Sequence, residues 1–225
     1  MLNKSKGNMY PDATWNPVKG KCPHDCAYCY MKKWGEQPAL HFDASELNTN
    51  LGQGNSVFVG SSCDMWADEI HSSWICQTLW HCAKYPKNKY LFQSKNPQRF
   101  GDFLEDTPTP LKIKIILGTT IETNRIYPEM GKTPSPKNRV SWMHSVSDKF
   151  ETMVTVEPIM DFDVSVLRNL ILVVRPKWVN IGANTNHSVK LPEPKPEKIE
   201  DLILVLNEFT EVKIKNNLKR LYKGG

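Results

Sequence analysis

No apolar run in this 225-residue chain approaches the roughly 18–20 residues that span a bilayer. The opening stretch MLNKSKGNMYPDATW has no apolar core of the kind an export signal carries. No membrane association is expected from this pattern, and a cytoplasmic location is. Blocks of like charge are missing too. The 29 Lys and Arg against 24 Asp and Glu leave +5, spread along the chain except for a denser group in VKIKNNLKRLYKGG. Such a balance permits a nucleic acid or phosphate-bearing partner without demanding one. The proline-rich pieces EDTPTP, PEMGKTPSPKN and KLPEPKPEK are too short to separate domains, and no internal repeat is present beyond a strand–helix alternation. One domain over residues 1–225 is expected, with a core at 10–190 and a C-terminal helix and basic tail at 191–225.

What recurs is a short β-branched segment followed by a polar turn and a helix-like stretch. SVFVGSS, KYLFQSK, IKIILGTT, TMVTVEP and KWVNIGA read as strands. Residues 68–85, 97–105, 163–174 and 196–209 carry apolar residues at helical spacing. A further strand at 13–18 brings the count to about six parallel strands joined by right-handed crossovers. The fold class expected is α/β, a partial (βα)6 TIM-like barrel. In such folds the strand carboxyl ends face the ligand, so the chemistry belongs in the residues after each strand.

The chain has six cysteines, three of them within KGKCPHDCAYCYMKKWG. Clustered spacing without an export signal points to metal binding or catalysis rather than disulfides. Cys22, Cys26 and Cys29 form a C-x3-C-x2-C pattern. A closed zinc site would require a fourth ligand, and His24, Cys63, Cys76 or Cys82 could supply it. Alternatively, three thiolates on a short loop suit three irons of a four-iron, four-sulfur cluster and leave the fourth iron open.

The pattern C-x3-C-x-aromatic-C after the first strand of a βα barrel, carried by Cys22, Cys26, Tyr28 and Cys29, resembles the signature of the radical S-adenosylmethionine enzymes. TWNPVKGKCPHDCAYCY, VFVGSSCDMW, YLFQSKNPQRF, ILGTTIETN, TVEPIMDF and WVNIGANTN together resemble a family of short radical S-adenosylmethionine proteins common in bacteriophages and their hosts, over most of residues 10–190. The resemblance implies a [4Fe-4S] cluster on the three cysteines and S-adenosyl-L-methionine chelated to the open iron. It further implies reductive cleavage to methionine and a 5′-deoxyadenosyl radical that abstracts hydrogen from a substrate. An external reductant such as flavodoxin or ferredoxin would supply the electron.

The remaining expected site residues follow the strands. Tyr28 would rest against adenine. Gly60, Ser61, Ser62 and Asp64 stand where many relatives carry a glycine-glycine-glutamate stretch that holds the methionine amino group, and this chain departs from that stretch. Ser94 and Lys95 reach the top of the third strand, and Lys95 could meet a carboxylate or phosphate as a point charge. Thr120, Glu122 and Asn124 resemble ribose- and carboxylate-binding positions, the last two sharing a face if the strand continues. Glu157 closes an apolar strand just before a proline, and Asn184 follows the sixth. Cys63 reads first as a small buried cysteine; in the second reading its weak S–H bond returns a hydrogen atom to a product radical, which makes it the candidate catalytic residue.

For the substrate, Trp34, Trp66 and Trp142 read as exposed aromatics that could stack on bases while lysines meet phosphates. A modified nucleobase or nucleotide in DNA is the first expectation, specifically rearrangement or isomerisation of a hypermodified thymidine. Base repair, RNA modification and small-metabolite modification are the alternatives within enzymology. A zinc-containing nucleic-acid-binding module is the alternative outside it. Loops at 30–50, 64–75 and 121–140 are the expected recognition segments.

Overall fold

The computed structural model describes residues 2–4, 11–105 and 113–222. The chain runs β1 (Asn3–Lys4), β2 (Ala13–Trp15), β3 (Val18–Lys19), β4 (His41–Phe42), β5 (Ser56–Val59), α1 (Ser72–Ala83), β6 (Lys89–Ser94), α2 (Gln98–Phe100), β7 (Lys114–Thr120), α3 (Pro136–Val146), β8 (Glu151–Val156), α4 (Val164–Val174), β9 (Trp178–Ile181), α5 (Pro196–Asn207) and β10 (Glu211–Ile214). Among the described residues β1-β2-β5-β6-β7-β8-β9-β10 form one sheet. β1 pairs antiparallel with β2, and every later pair is parallel. Seven parallel strands with helical crossovers make a partial TIM-like barrel. No helix among the described residues is long and apolar enough to cross a membrane.

Period-2 alternation divides the strand side chains between two environments. Val57, Val59, Phe92, Leu117, Val154, Val156, Val179 and Ile181 pack with Ile75, Leu79, Val140, Leu167, Ile171, Leu202 and Leu206 of the helices. Leu91, Ile116, Met153 and Trp178 form a separate buried cluster with Phe58. They occupy the opposite strand face, inside the barrel.

Three expectations are corrected here. The strand at 13–18 is two elements, β2 and β3, and β3 leaves the main sheet to pair with β4. Pro17 between them has no N–H to continue a ladder. Second, a seventh parallel strand, β10, lies in the segment read as a basic tail. Its lysines conceal the alternation, and Lys213 covers the Trp178 ring at 4.9 Å. Third, the proline-rich PEMGKTPSPKN ends as the first turn of α3: Ser135 caps the helix by accepting from Asn138 N at 3.3 Å, with Pro136 at the first helical position. Beyond Glu105, EDTPTP lies outside the described residues, as do the last three residues of the basic tail.

Candidate active site

The carboxyl ends of the parallel strands open into a cavity of about 770 Å³. Cys22, Cys26 and Cys29 all line it, with Tyr28, Gly60, Ser61, Ser62, Cys63, Asp64, Ser94, Lys95, Thr120, Glu157 and Asn184. The loop carrying the cysteines is fixed mainly by backbone. Cys29 N donates to Cys26 O at 3.2 Å, Ala27 N to Glu129 O at 2.9 Å, and Lys132 N to His24 O at 2.8 Å. Gly131, at φ +67°, runs so close that a Cβ there would stand 2.3 Å from His24 O, so no side chain fits. Among the described residues, no three His, Cys, Asp or Glu side chains converge tightly enough to hold one metal ion. The loop nonetheless presents three soft thiol donors to a single cavity, the donor set an iron–sulfur cluster takes.

Asp64 organises the wall beside this loop. Its Oδ2 accepts from Ser94 Oγ at 2.9 Å and from Lys95 N at 2.8 Å, and lies 2.8 Å from His24 Nε2. Its Oδ1 accepts from Trp66 N at 3.0 Å. Burial alone would raise its pKa, but His24 and these donors hold it below the ordinary carboxylate value. Both oxygens are thus engaged by protein, and Asp64 joins β5, β6 and the cysteine loop. His24, considered above as a metal ligand, faces Asp64 instead. Cys63, 2% exposed, has its thiol raised by donating to Cys22 and by burial, while the Cys22 thiol is correspondingly lowered.

Behind the cavity wall lies a fully buried ionic group. Arg139 and Glu122 have side chains at 0% exposure and meet at 2.7 Å. Arg139 also donates to Thr120 O at 2.9 Å, Pro134 O at 2.7 Å and Thr133 Oγ1 at 2.6 Å. Tyr28 donates its hydroxyl to Glu122, and Lys95 Nζ stands 3.8 Å from the same carboxylate and 5.6 Å from the Tyr28 ring centre. Burial would raise the Glu122 carboxyl, but Arg139 and Lys95 outweigh it and the pKa is lowered. Glu122 does not itself line the cavity; it positions Tyr28 and Lys95, which do.

Glu122 and Asn124 do not share a face, because β7 ends at Thr120. Asn124 turns outward, donating to Asp163 Oδ2 at 3.0 Å and accepting from Asp163 N at 2.8 Å. Asn184 lines the cavity, but its amide donates to Asn186 O at 2.8 Å and Val189 O at 2.9 Å, folding its own loop. Glu157 accepts from Asn217 Nδ2 at 2.9 Å and from Lys215 Nζ, both just beyond β10. Thr120 Oγ1 accepts from Gln93 Nε2 at 3.2 Å. Gly60, at φ +80°, turns the chain so that Ser61 Oγ donates to Asn16 Oδ1 at 3.0 Å and Ser62 N to the same oxygen at 3.0 Å.

Of the three tryptophans, Trp34 is exposed and Trp142 half-buried, whereas Trp66 is buried edge-on against Phe92 and Phe100. It cannot stack on a base. Residues 30–32 and 35–37 line the cavity; none of 65–75 or 121–140 does. Sequence reasoning missed Arg139, Lys215 and Asn180. Only the strand alternation of Asn180 carried a signal.

No family model matches the chain, and no curated protein sequence matches it. Solved structures do. Spore photoproduct lyase complexed with dinucleoside spore photoproduct superposes with a TM-score of 0.67 at 10% identity, covering 96% of this chain and 80% of that one. A variant of that lyase with the same dinucleoside gives 0.68 at 10% identity, with 96% and 79% covered. A variant with bound S-adenosylmethionine and the dinucleoside gives 0.58 at 10% identity, with 92% and 64% covered. At this identity the likeness establishes a shared fold.

Proposed function

We propose that this chain is a radical S-adenosylmethionine enzyme acting on a modified thymine-type nucleotide in DNA. The observation carrying the proposal is that Cys22, Cys26 and Cys29, on one loop after the first parallel strand, all face the cavity at the strand carboxyl ends. The fold likeness to a lyase solved with S-adenosylmethionine and a dinucleoside lesion supports both cofactor and substrate class. Under this reading the three cysteines hold a [4Fe-4S] cluster, which with S-adenosylmethionine supplies a 5′-deoxyadenosyl radical for hydrogen abstraction.

The protein's part is orientation and exclusion of water. Tyr28, its hydroxyl tied to Glu122, offers a fixed ring face to adenine. Lys95 offers a cation to a carboxylate, Ser94 and Thr120 hydroxyls, and Gly60–Ser62 a backbone edge. Glu157, Lys215 and Asn184 bound the opposite wall. Cys63, a buried thiol on the same cavity, is the residue suited to return a hydrogen atom to a product radical. Flavodoxin or ferredoxin fits the role of electron donor.

The substrate has two versions. Rearrangement of a hypermodified thymidine follows from the phage-type motifs, whereas reversal of a thymine lesion follows from the structural likeness to the lesion-bound lyase. DNA deuterated at the base substituents, incubated anaerobically with the reconstituted protein, S-adenosylmethionine and reductant, separates them. Deuterium is expected in 5′-deoxyadenosine from one of the two substrates. Cofactor cleavage without transfer from either would overturn the assignment to DNA bases.

A further inference from the structure

Inside the barrel, chemistry changes abruptly from one side-chain layer to the next. Leu91, Ile116, Met153 and Trp178 on β6, β7, β8 and β9 form a buried apolar floor. Two residues further along each strand the same face carries Gln93, Gly118, Thr155 and Asn180. A Cβ on Gly118 would stand 2.7 Å from Met153 Sδ and 3.3 Å from Gln93 Cγ. Its bareness lets Gln93 reach across β7, where Gln93 Oε1 accepts from Thr155 Oγ1 at 3.4 Å. Thr155 and Asn180 are register partners on adjacent strands.

Asn180 is the exception in this layer. It is only 8% exposed, yet its Oδ1 is buried with no hydrogen-bond partner among the described residues. It lines the cavity with Gln93, Thr155, Phe58 and Leu91. Buried carbonyl oxygens are ordinarily paired, because leaving one unpaired forfeits its hydration without return. An orphaned acceptor on a cavity wall is therefore matched to a donor that arrives with a ligand.

We propose that Gln93, Thr155 and Asn180 form a recognition site for the imide edge of a pyrimidine base, Asn180 Oδ1 accepting the ring N–H. An asparagine amide presents an acceptor and a donor side by side, which complements an N–H beside a carbonyl. Thymine and uracil carry that pair at N3; cytosine has no hydrogen there and leaves Oδ1 unpaired. Phe58 and Leu91 offer apolar surface to the ring. The choice of a thymine-type base rests on the function proposed above, but recognition is measurable without turnover.

The test is calorimetric binding of thymidylyl-thymidine and its N3-methylated counterpart to the reconstituted protein with S-adenosylmethionine. The N3-methylated ligand is expected to bind at least about tenfold more weakly, as a lost buried hydrogen bond implies. In Asn180→Leu that discrimination is expected to vanish while the ligand-free melting midpoint stays level or rises, since an unpaired buried acceptor has been removed. Equal binding of the two ligands by the unaltered protein, binding of neither, or discrimination that survives in Asn180→Leu would overturn the inference. 5′-Deoxyadenosine formation in the same preparation reports separately on the radical chemistry, so either reading can fail alone.

Discussion

The short segment 121–125 feeds two ionic groups of nearly the same composition and opposite setting. Inward, Glu122 meets Arg139 with both side chains at 0% exposure. Outward, Arg125 meets Asp161 and Asp163, and Lys198 joins Asp161. Here exposure runs from 29% to 52%, so water and salt compete with each contact. The inner group has no such competitor, and each charge depends on its partner. The inner group sets the cavity wall through Tyr28 and Lys95; the outer one fastens the loop after β7 to the segment leading into α4.

The largest effect should come from splitting the inner pair. Glu122→Ala leaves Arg139 buried without its carboxylate and is expected to cost about 3–5 kcal/mol of unfolding free energy in urea titration. A cost near zero would mean that water reaches the pair. Next is acid. The Glu122 pKa is lowered, so the stability it contributes is present above the ordinary value of 4.5 and is lost as pH falls through its folded value. A pH series of melting curves should therefore show less acid loss in Glu122→Gln than in the unaltered protein, measured relative to each protein's own value at pH 7. Identical acid slopes would place the titration elsewhere.

Salt sharpens the contrast at a smaller scale. Raising NaCl to about 1 M, where the screening length is near 3 Å, should erase any stability difference between Asp163→Asn and the unaltered protein. The deficit of Glu122→Ala should persist. The smallest effect expected is that of Asp163→Asn itself at moderate salt, a melting midpoint barely distinguishable from the parent. A large drop would show that the outer group is structural in its own right.

These two groups also show why the fold was more legible in the sequence than the site. Strands such as KYLFQSK and TMVTVEP announce themselves because burial on both faces leaves continuous apolar runs. The cysteine loop is equally plain, because its spacing is its chemistry. Glu122 and Asn124, by contrast, differ in orientation only because β7 stops at Thr120, and no local pattern marks that stop. Arg139 reads as any surface helix residue until Glu122, 17 positions earlier, is brought against it. Trp66 looked available for stacking because its partners Phe92, Phe100 and Phe103 are remote in sequence. β10 was hidden by lysines that lie along apolar neighbours while keeping their charges outward.

The central claim is that the three clustered cysteines support radical cleavage of S-adenosylmethionine. Its most direct test is anaerobic incubation of the iron- and sulfide-reconstituted protein with dithionite and S-adenosylmethionine, with 5′-deoxyadenosine read by mass spectrometry beside a triple Cys22→Ala, Cys26→Ala, Cys29→Ala variant. The account predicts 5′-deoxyadenosine from the intact protein and none above background from the variant. Zinc in place of iron, or equal product from both proteins, would contradict it.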